Sequence, residues 1–275
     1  MDLDHLLAIK AIVLAVTLTV FAVWERLWPA APSPLLLRWR PWHKAAWRRL
    51  GRNLGLAGLN ALLSPLLVLP VTVWACGLAV GWRPAAWSGP PGLVLDLVLL
   101  DLWLYWWHRA NHELPFLWRF HVVHHLDQLL DTTTALRFHV GEVALSALAR
   151  AGFVVLLDFP LPSVVLFESL ILACALFHHS DARLPSALER WLGHMIVTPS
   201  IHWVHHHARQ ADTDSNYGTL LSCWDHLFCS RSPHARDPAM PIGVERLADR
   251  PLRRLLVAPF GRQAGTNAAP RSARQ

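Results

Sequence analysis

The chain has 275 residues, 53% of them hydrophobic and only 16% charged, where an ordinary soluble domain carries about 25% charged residues. With 15 Trp and a mean hydropathy of +0.30, this composition argues against a soluble enzyme and for a membrane protein, because indole favours the headgroup region. The net charge of +6 would suit a nucleic-acid binder, but no nucleic-acid-binding motif is present, and charge asymmetry across a membrane accounts for the excess.

The first apolar run, residues 5–27, has no basic segment before it and no small-residue cleavage site after it. It therefore reads as a retained transmembrane helix rather than a signal peptide, with Lys10 snorkelling outward. Residues 38–52 carry Arg38, Arg40, Lys44, Arg48, Arg49 and Arg52. Read as a loop, this segment belongs in the cytoplasm, which leaves the acidic start, Met1-Asp2-Leu3-Asp4, outside. A second apolar run, 54–82, contains Pro65 and Pro70 and returns the chain to the outer face, where the Pro- and Gly-rich stretch 83–92 forms a loop. A third run, 93–107, leads straight into His108, with Asp96 expected at the outer interface.

Residues 140–178 are apolar except for Asp158-Phe159-Pro160-Leu161-Pro162. This pattern predicts a helical hairpin with arms of about 15–18 residues, marginal for full spans, so a tilted pair and a re-entrant hairpin both fit. Residues 179–260 are mostly polar and suggest short helices; the tail after Gly261 reads as disordered. Cys76, Cys174, Cys223 and Cys229 form no C-x-x-C pair and read as small buried hydrophobes, not as disulfides or thiolate ligands.

The chemistry lies in three histidine clusters: His108-Arg-Ala-Asn-His112, His121-Val-Val-His124-His125 and His202-Trp-Val-His205-His206. Spacings of three and four point one way on a helix, and Pro115 is expected to end the helix that carries the first cluster. Imidazole is the commonest protein ligand for iron, zinc and copper. The clusters offer too many ligands for one ion, so they point to a two-metal centre at the membrane edge. The Lys/Arg topology supports this independently, since it puts all three clusters on one side, together with His139 and His178-His179 at the two ends of the hairpin.

The zinc-protease pattern H-E-x-x-H is absent, Arg109 standing where its general-base Glu would be, which argues against a metalloprotease. His5, His43, His194 and His234 read as surface residues; His207 and His226 extend no motif. Asp101 lies seven residues before His108 and Glu168 eleven before His179, each near the face of its histidine. An intramembrane carboxylate is costly unless it faces protein or a polar cavity. Each therefore either supports the histidines or makes a structural hydrogen bond within the bundle.

The wider motif context runs from about Leu93 to Cys229. It comprises Asp101-x-x-x-Tyr105-x-x-His108-Arg109-x-x-His112, Leu117-Trp118-x-x-His121-x-x-His124-His125 and Arg137-Phe138-His139-x-x-Glu142. It continues with His179-Ser180-Asp181, Thr198-Pro199-x-x-His202-x-x-His205-His206, Asn216-Tyr217-Gly218-Thr219 and Trp224-Asp225-x-Leu227-Phe228. In these residues the chain resembles the fatty acid hydroxylase / sterol desaturase superfamily of membrane non-haem iron enzymes. It departs from the usual pattern at Asp181, where many members have Asn, and at Cys229, where Gly is usual.

The resemblance implies an all-α integral membrane protein with about four to five transmembrane or re-entrant helices and a cytoplasmic helical cap carrying the histidines. The expected organisation is an N-terminal membrane region with a basic loop at 1–92, a catalytic domain at 93–230, and a C-terminal segment at 231–275. By motif match, His108, His112, His121, His124, His125, His179, His202, His205 and His206 would hold two iron ions. Asp101, His139, Glu142, Glu168, His178, Asp181, Asn216 and Asp225 are candidates for supporting them from behind. The implied reaction is O2-dependent hydroxylation of an aliphatic carbon of a lipid; alternatives are desaturation on the same scaffold and a non-catalytic metal-binding membrane protein. The chain has no dinucleotide, haem-attachment or iron–sulfur motif, so electrons would come from a separate donor, such as a ferredoxin or a cytochrome with its reductase.

Overall fold

The computed structural model describes residues 3–31, 44–78 and 80–261, which form helices and connecting loops with isolated bridges and no strand. In chain order the long elements are α1 (Leu3–Leu27), α2 (Lys44–Leu67), α3 (Leu69–Gly77), α4 (Gly89–Glu113), α5 (Pro115–His125), α6 (Val140–Leu157) and α7 (Leu161–His179). Short helices follow: α8 (Ser186–Gly193), α9 (Pro199–His205), α10 (Gln210–Thr213), α11 (Cys223–Leu227) and α12 (Leu252–Val257). Four helical segments are long and apolar enough to cross a membrane: α1, the α2–α3 pair, α6 and α7. The arms of the hairpin have 18 and 19 residues, roughly 27–29 Å of helix, which matches a hydrocarbon core of about 30 Å. Asp158, at φ +55° in the left-handed region, makes the turn, and Pro160 caps the start of α7.

Pro115 begins α5, and the preceding Leu114 is extended at φ −95°, ψ 116°, as a residue before proline must be. The chain therefore turns sharply between α4 and α5. Leu56 of α2, Trp118, Val122 and Val123 of α5, and Leu255 of α12 pack into one core under the histidine end of the bundle. A second core, with Ala75, Leu100, Val154, Phe159 and Phe167, fills the opposite end.

Four sequence expectations change. The basic segment is not wholly a loop: Lys44–Arg52 is the first part of α2, and Arg38 and Arg40 lie outside the described residues. The merged α2–α3 segment of 34 residues, about 51 Å of helix, is longer than a hydrocarbon core of about 30 Å and carries its basic residues at its start. There Arg49 bonds Asp127 at 2.6 Å and Asp131 at 2.5 Å, and Arg52 pairs with Asp249 at 2.6 Å. Two of the charges that read as a topology signal thus serve tertiary ion pairs. Lys10 does not snorkel outward but pairs with Glu168, which also binds Arg150 at 2.5 Å. Asp96 is buried rather than interfacial, accepting from Arg83 (2.7 Å), Trp87 Nε1 (2.9 Å) and Ser163 Oγ (2.6 Å). Cys223 and Cys229 are exposed; all four cysteines are free. Met1-Asp2 of the acidic start and the tail after Gly261 fall outside the described residues.

The Arg49 cluster ties α2 to the cap. Burial alone would raise the Asp127 carboxyl, but the Arg49 and Arg137 guanidiniums outweigh it and hold it down at about 2. A carboxylate depressed in the folded state stabilises above its unfolded pKa of about 3.9, and that stability is lost as pH falls towards about 2. Arg49→Leu leaves buried carboxylates without their counter-charge and is expected to cost about 3–5 kcal/mol at neutral pH. The melting temperature in detergent measures this; an unchanged value would show the cluster to be dispensable.

Candidate metal centre

The histidines converge because helix ends from one side of the bundle meet there. α4 and α7 deliver His108, His112 and His179 at their C-terminal ends, and α5 and α9 with its cap residue supply the other six. The ring nitrogens form two groups. One contains the five residues His108, His112, His121, His125 and His205; the other contains the four residues His124, His179, His202 and His206. Within each group one nitrogen per residue lies within 4.8 Å of all the others.

Each H-x-x-H-H sequence serves both groups. On α5, His121 and His125 join the first group while His124 joins the second; on α9 and its cap, His202 and His206 join the second while His205 joins the first. Residues i and i+4 are nearly aligned on a helix, whereas i+3 and i+4 are about 100° apart, which divides each cluster in this way.

The rings are fixed from behind. Their Nδ1 atoms meet acceptors: His108 the Tyr217 carbonyl at 2.8 Å, His124 the Arg137 carbonyl at 3.2 Å, His179 the Ala175 carbonyl at 2.7 Å, and His205 the Ser215 carbonyl at 2.7 Å. His121 Nδ1 meets Glu142 Oε1 at 2.7 Å. A neutral ring that donates from Nδ1 presents its lone pair at Nε2. His124 and His179 therefore face each other through Nε2 atoms only 3.0 Å apart, and His179 Nε2 is 3.0 Å from His202 Nε2. Opposed lone pairs at this distance repel unless a cation lies among them. Nitrogens about 3 Å apart are also neighbouring corners of a shell with bonds of about 2.1 Å. Both nitrogens of His112 and the Nε2 of His205 are buried without hydrogen-bond partners. Burial, then the neighbouring imidazoles, hold His124, His125, His202 and His206 well below the ordinary histidine range. Burial sets His205 at about 3. Neutral, convergent and unpartnered nitrogens are the donor set that a divalent transition metal fits.

The other residues singled out in the sequence separate into distinct places. Glu142 touches a clustered histidine directly. Asp225 accepts from the Tyr217 and Gly218 amides at 2.8 and 2.9 Å and from Ser230 at 2.6 Å. It thereby holds the loop whose Tyr217 carbonyl meets His108. Asp101 accepts from Trp224 Nε1 at 2.7 Å and the Leu221 amide at 3.1 Å, so it fastens the far side of that loop to α4. Asn216, at φ +52°, bonds the Ile201 carbonyl and the Ser232 amide. Asp181 accepts from the Ala31 amide at 2.9 Å, joining α1 to the cap.

His139 caps α6: its Nδ1 accepts from the Gly141 amide at 2.9 Å and its Nε2 meets the Leu256 carbonyl at 3.0 Å, so both nitrogens are engaged away from the clusters. Glu168 sits in its own ion-pair cluster. His178 stands beside the second group, its ring centroid 4.1 Å from that of His202. His207 and His234 share Asp212, at 2.8 and 2.7 Å. Sequence reasoning missed the four carbonyls that orient the rings, because a backbone carbonyl leaves no mark in a sequence. It also missed Phe138, stacked on His124 at 4.5 Å, although the Arg137-Phe138-His139 motif contained the signal.

A family model described as fatty acid hydroxylase matches residues 93–230. The chain is 26% identical over 260 residues to the ornithine lipid hydroxylase of Rhizobium tropici, covering 94% of this chain and 77% of the relative. It is 33% identical over 138 residues to the alkylglycerol monooxygenase of Danio rerio, covering 50% of this chain and 29% of the relative. It is 28% identical over 138 residues to the lathosterol oxidase of Homo sapiens, covering 49% of this chain and 43% of the relative. No solved structure matches. With half the chain matched by the family model and its histidines gathered as described, the chain belongs to the fatty acid hydroxylase family.

Proposed function

We propose that this protein is a membrane di-iron oxygenase that hydroxylates an aliphatic carbon of a lipid, using O2 and electrons from a separate donor. The observation that carries the reading is a cavity of about 640 Å³ that joins the clustered histidines to the membrane-spanning helices. His108, His121, His124, His179 and His202 lie along its wall, as do Leu14 and Leu18 of α1 and Leu54 of α2. α1 packs along α7, and α2 along α3 and α6. α1 and α2 therefore face one another across the cavity without close packing, which leaves a seam where an acyl chain can enter from the bilayer.

In this reading His108, His112, His121, His125 and His205 hold one iron, and His124, His179, His202 and His206 the other. The irons, when bound, supply O2 activation and abstraction of an aliphatic hydrogen. The protein supplies imidazole ligands, which preserve the metals' positive charge, and acceptors behind His108, His121, His124, His179 and His205 that lock those rings with a lone pair inward. The buried cap excludes water, and the apolar walls orient the chain. Residues 93–230 form the catalytic domain, and 1–92 complete the wall and the entrance. Lys44 and Arg48, with Arg38 and Arg40, support a cytoplasmic position for the histidine end, where a ferredoxin or a cytochrome would dock. The names of the relatives, a lipid hydroxylase and monooxygenases, support hydroxylation over desaturation.

Three outcomes test this reading. Detergent-purified protein should retain two irons per chain, and His205→Ala should lower that content and abolish turnover. Cellular lipids compared with and without the protein should show a gain of one oxygen; a loss of two hydrogens would establish desaturation instead, and no change would overturn the reading. Glu142→Ala, by releasing His121 Nδ1, should weaken metal retention against a chelator by about 10–100-fold. His139→Ala should cost about 0.5–2 kcal/mol of stability as a lost helix cap and leave metal content unchanged; equal metal loss in both variants would show that Glu142 has no special role.

A further inference from the structure

The cavity wall is not uniformly apolar beside the histidines. Asn111 of α4, Glu142 of α6 and His178 of α7 all line it, and their exposures are 3%, 6% and 1%. In each a polar atom is buried without a hydrogen-bond partner: Asn111 Oδ1, Glu142 Oε2 and His178 Nδ1. The ligand assignment uses none of these atoms. Glu142 reaches His121 through its other oxygen, Oε1, and His178 belongs to neither nitrogen group. Leaving a buried polar atom unmet is costly, and here three helices each bring one to the same space.

Their chemistry is one-sided. A carboxylate oxygen and an amide oxygen only accept. The Thr219 backbone lies against the His178 ring; with the ring's one proton directed there, Nδ1 is an acceptor too. The same lining includes Leu14, Leu18 and Leu172, together with Lys10 and Arg150, both paired to Glu168. Three unmet acceptors beside the histidines and leucines in the same lining define a lipid and its orientation.

We propose that Asn111, Glu142 and His178 form a headgroup subsite for a lipid whose head carries hydrogen-bond donors, a hydroxyl or an ammonium. The head sits beside the histidines, the acyl chain runs outward between α1 and α2, and oxidation falls on a carbon in or next to the head rather than deep in the chain. This rests on the proposed lipid hydroxylase reading and adds to it the substrate class and the region attacked. Asn111 and His178 are then substrate-binding residues, not metal ligands.

Binding can be tested without turnover. The iron-loaded protein in detergent is offered equimolar pairs of lipids with the same acyl chain, one with a free head and one capped: a monoacylglycerol against its di-O-methyl ether, and an N-acyl diamine against its N′-acetyl counterpart. Native mass spectrometry reads the bound ratio. The free head should be preferred by roughly tenfold, the effect of one or two hydrogen bonds, and the pair with the larger preference distinguishes hydroxyl from ammonium. Asn111→Ala and His178→Ala should each reduce that preference several-fold at unchanged iron content. Equal binding of free and capped heads by the wild type would overturn the subsite, as would a full preference retained in both variants. If oxidised lipid is found with its oxygen remote from the head, the subsite is wrong while the hydroxylase reading stands; head preference without any oxidation leaves the subsite standing and removes the hydroxylase.

Discussion

Packing imidazoles together in a dry space, with no carboxylate among the clustered nitrogens, is the constraint on which the rest of the structure depends. A neutral imidazole has one N–H to place and one lone pair to present. Where the lone pairs converge, the N–H groups must be met from outside. The Arg137, Ala175, Ser215 and Tyr217 carbonyls and the Glu142 carboxylate do this. These acceptors come from four parts of the chain: the turn ending at Arg137, the start of α6, the last part of α7, and the loop that carries Ser215 and Tyr217. The loop after α9 is therefore not a mere connection: it brings the Ser215 and Tyr217 carbonyls behind His205 and His108. Asp225 and Asp101 carry the same logic one layer outward by pinning the loop that contains Tyr217.

The division of each H-x-x-H-H sequence between two nitrogen groups has a related consequence. α5 and α9 each reach into both groups, so neither group can form without both helices in place. A small rotation of either helix displaces nitrogens in both groups at once. This explains why so much of the binding of the cap is polar and specific. Arg49 to Asp127 and Asp131, and Arg137 to Asp249, lock the segment that follows α5 against α2 and the C-terminal region.

Much of this was legible in the sequence. The apolar runs located α1, α6 and α7 closely because hydropathy and proline placement are local properties. The histidine spacings and their motif context named the residues that gather into the two groups. Asp96, Lys10, Glu168 and Arg49 were less legible, because a charge in or near an apolar run looks alike whether it faces lipid, water or a partner far away in the chain. Lys10 and Glu168 are 158 positions apart, and neither advertises the other. The start of α2 was misread for a similar reason: six basic residues in a short stretch satisfy the rule for a cytoplasmic loop, and only Asp127, Asp131 and Asp249 reveal that some of them have structural partners. His139 lay inside a recognised motif, yet its role as a helix cap depends on the φ/ψ of the chain and on Leu256, which spacing cannot supply.

On the proposed reading, lipid entry between α1 and α2 would change what concentration means for this protein. A ligand that arrives sideways never crosses bulk water on its way in, so the quantity that fills the cavity is the lipid's mole fraction in the surrounding leaflet. Dilution of the whole suspension would leave occupancy unchanged, whereas dilution of the lipid with an inert neighbour would lower it. The composition of the host membrane thereby becomes a selector in its own right, acting before any side chain has been touched.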